Sequence, residues 1–114
     1  MNPGDLILVK FPFTHLLSTK QRPALLLHTT KYSPHVQLIT LAMITSKTEG
    51  GRLSGDVPVL NWSGAGLLHP SLVRLAKIAT VELDLVQKTL GVLTKADLTA
   101  VRDAFCTLYK FWLA

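Results

Sequence analysis

Gly4-Asp5-Leu6-Ile7-Leu8-Val9-Lys10-Phe11-Pro12-Phe13-Thr14, followed by Lys20-Gln21-Arg22-Pro23-Ala24-Leu25-Leu26-Leu27-His28, is the stretch on which the fold turns. Asn2-Pro3-Gly4-Asp5 is a turn signal, and Leu6 to Phe11 reads as the strand that leaves it. Pro12 ends that strand, because proline has no N–H to give to a ladder. Residues 12–21 read as a loop carrying polar and basic groups, and Pro23 to His28 as a second strand.

Working outward, Val36 to Ile44 is apolar over most of its length, the pattern of a strand buried on both faces. Residues 45–55 are rich in Gly, Ser and Thr and read as a loop. A short strand Asp56 to Val59 follows, then an irregular stretch from Asn61 to Pro70 containing Gly64 and Gly66. Two closely spaced strands are expected at Leu72–Leu75 and Ala76–Val81, and a last short one at Leu90–Leu93. Thr94 is a good helix N-cap, and Asp97 brings a negative charge to the positive end of that helix. Leu98, Val101, Phe105, Leu108 and Trp112 recur at spacings of three and four, which puts them on one packing face. Cys106 lies beside that stripe and reads as an inert small apolar residue. The expectation is one mainly β domain over residues 1–114, a small SH3-like barrel with a C-terminal α-helix packed on it.

Hydrophobic residues make up 48% of the 114 positions and charged residues 17%, which excludes a disordered chain. A barrel this small cannot hide all of its Leu and Val side chains, so a homodimer is expected to cover the remainder. Twelve Lys and Arg against seven Asp and Glu give a formal charge of +5. That excess suits a polyanionic partner, nucleic acid or an acidic protein; the plainer alternative is a surface charge that serves solubility. The single cysteine excludes an internal disulfide and a Cys-rich zinc site. Residues 1–13 lack the apolar core of a secretory leader. No apolar run approaches the ~20 residues of a membrane span. A cytoplasmic protein without membrane contact is expected. His28, His35 and His69 are scattered without metal-ligand spacing, and no phosphate-loop pattern occurs, so neither a metal nor a cofactor is expected.

The opening block, with Lys20 to Leu27, resembles the hallmark of MazF/PemK toxins: a Gly-Asp strand, a polar loop and an Arg-Pro strand. Ile44-Thr45-Ser46 resembles the family's hydrophobic-Thr-Ser strand end. Gly66-Leu67-Leu68-His69-Pro70-Ser71-Leu72-Val73-Arg74, with Ile78-Ala79-Thr80-Val81, resembles its later paired strands. The order and spacing of the blocks cover nearly the whole chain. The resemblance implies the toxin of a type II toxin–antitoxin pair. It further implies a homodimer of SH3-like barrels that cuts single-stranded messenger RNA and is silenced by a partner antitoxin.

Metal-free RNA cleavage needs three things: deprotonation of the ribose 2′-OH, stabilisation of the phosphoryl oxygens, and a proton for the leaving 5′-oxygen. Arg22 precedes Pro23 at a loop-to-strand junction and carries a planar donor fork suited to phosphate. A surface arginine is the plain alternative, and the resemblance implies a catalytic one. A guanidinium gives up its proton too reluctantly to serve as an ordinary base, which argues for an electrostatic role. Thr45 can donate its hydroxyl to a phosphoryl oxygen with help from Ser46, although a β-branched residue also simply favours a strand. Part of the family pairs an arginine, here Arg74, with an acidic residue two positions on. This chain has Ala76 there, so a carboxylate partner for Arg74 is not expected and Arg74 is read as a phosphate contact. His15 is a candidate for RNA contact or proton transfer. Lys20, Lys47 and Arg52 are read as a basic rim, with Phe13 and Trp62 available to stack on bases. The rival readings are a non-catalytic toxin of the gyrase-poison type on the same scaffold, acting through its C-terminal helix, and a degenerate member without activity.

Overall fold

The structure is a computed structural model that describes residues 1–11 and 20–113, with the side chain of Phe11 left out. Phe13 and His15 lie outside the described residues. Six strands follow one another: β1 (Asp5–Phe11), β2 (Lys20–Ser33), β3 (Val36–Thr45), β4 (Asp56–Pro58), β5 (Leu72–Glu82) and β6 (Val86–Val92). A 3-10 turn (Leu83–Leu85) joins the last two, and the helices α1 (Lys95–Leu108) and α2 (Lys110–Leu113) close the chain. The strands form one sheet in the order β4-β5-β3-β2-β1-β6, and its ladders are all antiparallel.

The mainly β class with a C-terminal helix is as expected, and the element bounds differ in instructive ways. Lys20 and Gln21 belong to β2 and not to the preceding loop, because they pair with Phe11 and Lys10. The two strands expected at 72–75 and 76–81 are one strand. Ala42 pairs with Ile78 while Met43 pairs with Arg74, so Leu75, Ala76 and Lys77 form a bulge. The bulge turns Leu75 fully into the core and leaves Ala76 exposed. The last strand starts at Val86, four residues before the apolar run that signals it.

Alternation along the strands sends neighbouring residues to opposite faces. One face gathers Leu6, Leu25, Ala42, Ile44, Val57, Val73 and Leu75, with Val101, Phe105 and Leu108 of α1 packed on it. The other gathers Ile7, Val9, Ala24, Leu26, Ile39, Leu41 and Val81. Each Val, Leu or Ile among them contributes about 1.5–3 kcal/mol on full burial. Trp112 does not join the helical stripe: α1 stops at Leu108, the Tyr109 cap departs from helical geometry, and Trp112 is 81% exposed on α2. Cys106 is also exposed.

β4 and β6 are the two edges, so no hydrogen-bonded ladder closes the barrel. The irregular segment 59–71 bridges the gap. Its Ala65–Gly66 backbone crosses Leu90–Gly91 of β6 so closely that a Cβ on Gly66 would stand 2.2 Å from the Leu90 carbonyl oxygen, and one on Gly91 2.2 Å from that of Ala65. Asp97 holds the start of this segment. Thr94 caps α1 by accepting from the Asp97 backbone N–H at 3.2 Å. The Asp97 carboxylate, 1% exposed, accepts from the Leu60 and Asn61 backbone N–H groups, each at 3.1 Å. Asp97 therefore ties the helix N-terminus to the bridge as well as suiting the helix dipole. Asp97→Ala is expected to cost about 3 kcal/mol, since it strands two N–H groups that share one charged acceptor. Urea unfolding followed by circular dichroism measures this.

Candidate active site

A cavity of about 780 Å³ opens where β1, β2 and β3 end and the bridge passes β6. Leu8, Pro23, Ile44, Leu67 and Leu90 give it an apolar floor. Four cations line it: Lys20 and Arg22 from β2, Lys47 from the segment after β3, and Lys88 from β6. Gln21, Thr45, Ser46, His69 and Ser71 complete the polar lining, which among the described residues includes no carboxylate. Such a surface suits a ligand with flat apolar groups strung on a polyanion.

Strand register explains why distant residues meet here. The β2–β3 ladder starts at Ala24↔Met43. Continued two residues outward, the same register sets Arg22 opposite Thr45. Pro23 is tolerated because it pairs with Leu8 of β1 and lies just beyond the ladder to β3. Arg22 is exposed, and among the described residues no carboxylate lies within ion-pair distance of it. Its fork is left for a ligand. The Thr45 hydroxyl accepts from the Lys47 backbone N–H at 3.1 Å, which leaves its own proton free to donate.

Of the residues expected from sequence, Arg22, Thr45, Lys20, Ser46 and Lys47 share this cavity. Arg52 does not: it lines a neighbouring groove of about 430 Å³ with Trp62, Pro58 and Pro70, joined to the cavity through Ser71. Arg74 lies elsewhere, four-fifths buried, with its Nη2 3.8 Å from Asp56 Oδ2 and its Nε without a hydrogen-bond partner. The expectation that Arg74 lacks a carboxylate is thereby corrected. The acid comes from the adjacent strand, where register puts Asp56 opposite Arg74, and not from position 76 of its own strand. Linear spacing cannot show such a partner.

Lys88, His69 and Ser71 line the cavity without having been expected there. Lys88 sits on a part of β6 without an apolar signal. His69 was visible only as one of several dispersed histidines. Among the described residues no three His, Cys, Asp or Glu side chains gather as a metal site. No helix of the described chain is long and apolar enough to cross a membrane.

Comparison with solved structures gives the same architecture. The Mycobacterium tuberculosis toxin MazF-mt6 is 24% identical, with 93% of this chain and 96% of that one covered and a TM-score of 0.71. Another toxin from the same source, "Mtb toxin", is 28% identical over 77% of this chain and 92% of its own, with a TM-score of 0.62. An endoribonuclease in complex with its cognate antitoxin, from a mycobacterial species, is 15% identical over 94% and 90%, with a TM-score of 0.67. Among curated proteins no match is found. The model of the PemK-like, MazF-like toxin of type II toxin-antitoxin systems matches residues 2–109. With that match across an open sheet, a bridged edge and a cationic cavity at the Arg-Pro strand, the chain belongs to the PemK-like, MazF-like toxin family of type II toxin–antitoxin systems.

Proposed function

We propose that this toxin is a metal-independent endoribonuclease that cuts single-stranded messenger RNA at short sequences. The ribose 2′-oxygen attacks the adjacent phosphorus, the bond to the 5′-oxygen breaks, and the products are a 2′,3′-cyclic phosphate and a 5′-OH. The observation that carries this reading is the meeting of Arg22 and Thr45 in one cavity ringed by Lys20, Lys47 and Lys88. Arg22 neutralises the charge growing on the phosphoryl oxygens, and Thr45 donates to one of them. The lysines hold the flanking backbone, with Ser46 beside them and Arg52 next door extending the track. Dependence on the 2′-OH makes DNA a non-substrate. His15 is a further candidate for the RNA track.

The partner is read as an acidic antitoxin whose flexible tail covers the same cationic cavity, since carboxylates and phosphates suit the same donors. The toxin is read as a cytoplasmic homodimer, in keeping with the apolar side chains that the single chain leaves exposed. A second reading, a toxin that binds a protein target through its C-terminus, draws on one observation. Phe111 and Trp112 stack edge to face at 5.1 Å and are 83% and 81% exposed.

Incubation of the purified protein with mixed-sequence single-stranded RNA in EDTA separates the readings. Cleavage with cyclic-phosphate ends, absent on the matching DNA, is the expected result. Intact RNA under all conditions would overturn the nuclease reading in favour of the second. Thr45→Val, which keeps the shape and the strand preference, is expected to lower single-turnover cleavage by about 10- to 100-fold with unfolding little changed. An unchanged rate would remove Thr45 from the site.

A further inference from the structure

We propose that His69 is the general base of this cleavage, taking the proton of the attacking 2′-OH; the proposal rests on the endoribonuclease reading above. The cavity is rich in donors and poor in acceptors. The ammonium and guanidinium groups of Lys20, Arg22, Lys47 and Lys88 are donors without an acceptor. The Gln21 amide and the hydroxyls of Thr45, Ser46 and Ser71 are far too weakly basic, and among the described residues no carboxylate lines the cavity. Among the described lining residues, His69 has the side chain whose ring nitrogen can accept a proton and later return it. The other histidines of the described chain stand away from the cavity. His28 is on β2, 2.6 Å from the Thr30 hydroxyl, and His35 is in the β2–β3 turn.

The chain holds the His69 backbone in place. It rides a short bow pinned at both ends by buried residues, Leu67 at 7% and Ser71 at 6% exposure. The Leu67 N–H donates to the Trp62 carbonyl at 3.0 Å, and the Ser71 hydroxyl donates to the His69 carbonyl at 2.8 Å. Pro70 follows and restricts the His69 backbone to extended geometry. The bridge thus brings His69 into the lining of the same cavity as Arg22 and Thr45.

Neutral imidazole takes the 2′-OH proton as the 2′-oxygen bonds to phosphorus. The bond from phosphorus to the 5′-oxygen breaks, and that oxygen takes a proton from water. The resulting hydroxide is neutralised by the imidazolium, which restores the base. This assigns to the bridge the proton acceptor that Ala76 does not supply on β5.

The test is single-turnover cleavage of mixed-sequence RNA in EDTA across pH 5–9, by wild type, His69→Ala, His69→Gln and His15→Ala. Binding of the same RNA carrying 2′-O-methyl groups is measured in parallel. Wild type is expected to slow below neutral pH. Both His69 variants are expected to lose about 10²–10⁴-fold in rate and the acidic limb of the profile, with 2′-O-methyl RNA binding nearly unchanged. Added imidazole is expected to restore part of the His69→Ala rate. Cleavage by His69→Ala at wild-type rate with its acidic limb intact would overturn the proposal while leaving the nuclease reading. Loss of the limb in His15→Ala with its retention in His69→Ala would do the same. Wild-type protein that leaves RNA intact would overturn both.

Discussion

Arg22→Ala is expected to lower single-turnover RNA cleavage by about 10²–10³-fold, the usual cost of removing one preorganised donor from a developing oxyanion. The effect should fall on the chemical step. Arg22 is exposed, and among the described residues it has no ion pair, so its removal breaks nothing that holds the fold. Thermal unfolding of the variant should match wild type within a few degrees. Binding to an uncleavable 2′-O-methyl RNA should weaken modestly, with the slope of log affinity against log salt reduced by about one phosphate contact. Arg22→Lys keeps the charge and loses the planar two-point fork, so it should recover binding better than rate. Equal rates for Arg22→Ala and wild type would remove Arg22 from the chemistry without touching the existence of the activity.

Gly91→Ala is the corresponding expectation for the fold: a loss of about 3 kcal/mol, read as a drop of about 10–20 °C in Tm for a domain of this size. The added Cβ would stand 2.2 Å from the Ala65 carbonyl oxygen and 2.6 Å from its carbon. Neither partner can yield cheaply. Ala65 is fully buried, and its N–H donates to the Asn61 carbonyl at 3.0 Å. Gly91 is itself paired with Leu6 of β1. The backbone of Gly91 is not in the left-handed region, so the penalty is one of contact and not of conformation. The damage should reach the site, because the same bridge runs on to His69 and Ser71. Surviving folded protein should therefore cut RNA more slowly as well as unfold earlier. A Tm within about 2 °C of wild type would show that the bridge does not pack against β6 as described.

Several features were legible in the chain. The Asn2–Asp5 turn and the apolar run Leu6–Phe11 are local, so β1 follows from neighbouring residues alone. The α1 start is local too: Thr94 caps and Asp97 follows within one turn. Arg22 and Thr45 were readable as candidates through the resemblance to the toxin family; residue type alone favoured a surface arginine and a threonine that prefers a strand.

What the tertiary structure decided is everything that depends on register. A bulge, which period-two patterning cannot announce, merges two expected strands into β5. The Asp56 partner of Arg74 comes from another strand. Arg52 and Arg74 carry the same guanidinium as Arg22, yet one lies in the next groove and the other is largely buried. Lys88 and His69 enter the cavity only because the bridge crosses β6, a crossing permitted by the missing side chains of Gly66 and Gly91. The Gly-Asp strand and the Arg-Pro strand were thus written in the residues themselves. The part of the cavity that Lys88 and His69 line was not, because it is assembled by contacts between segments that no local pattern connects.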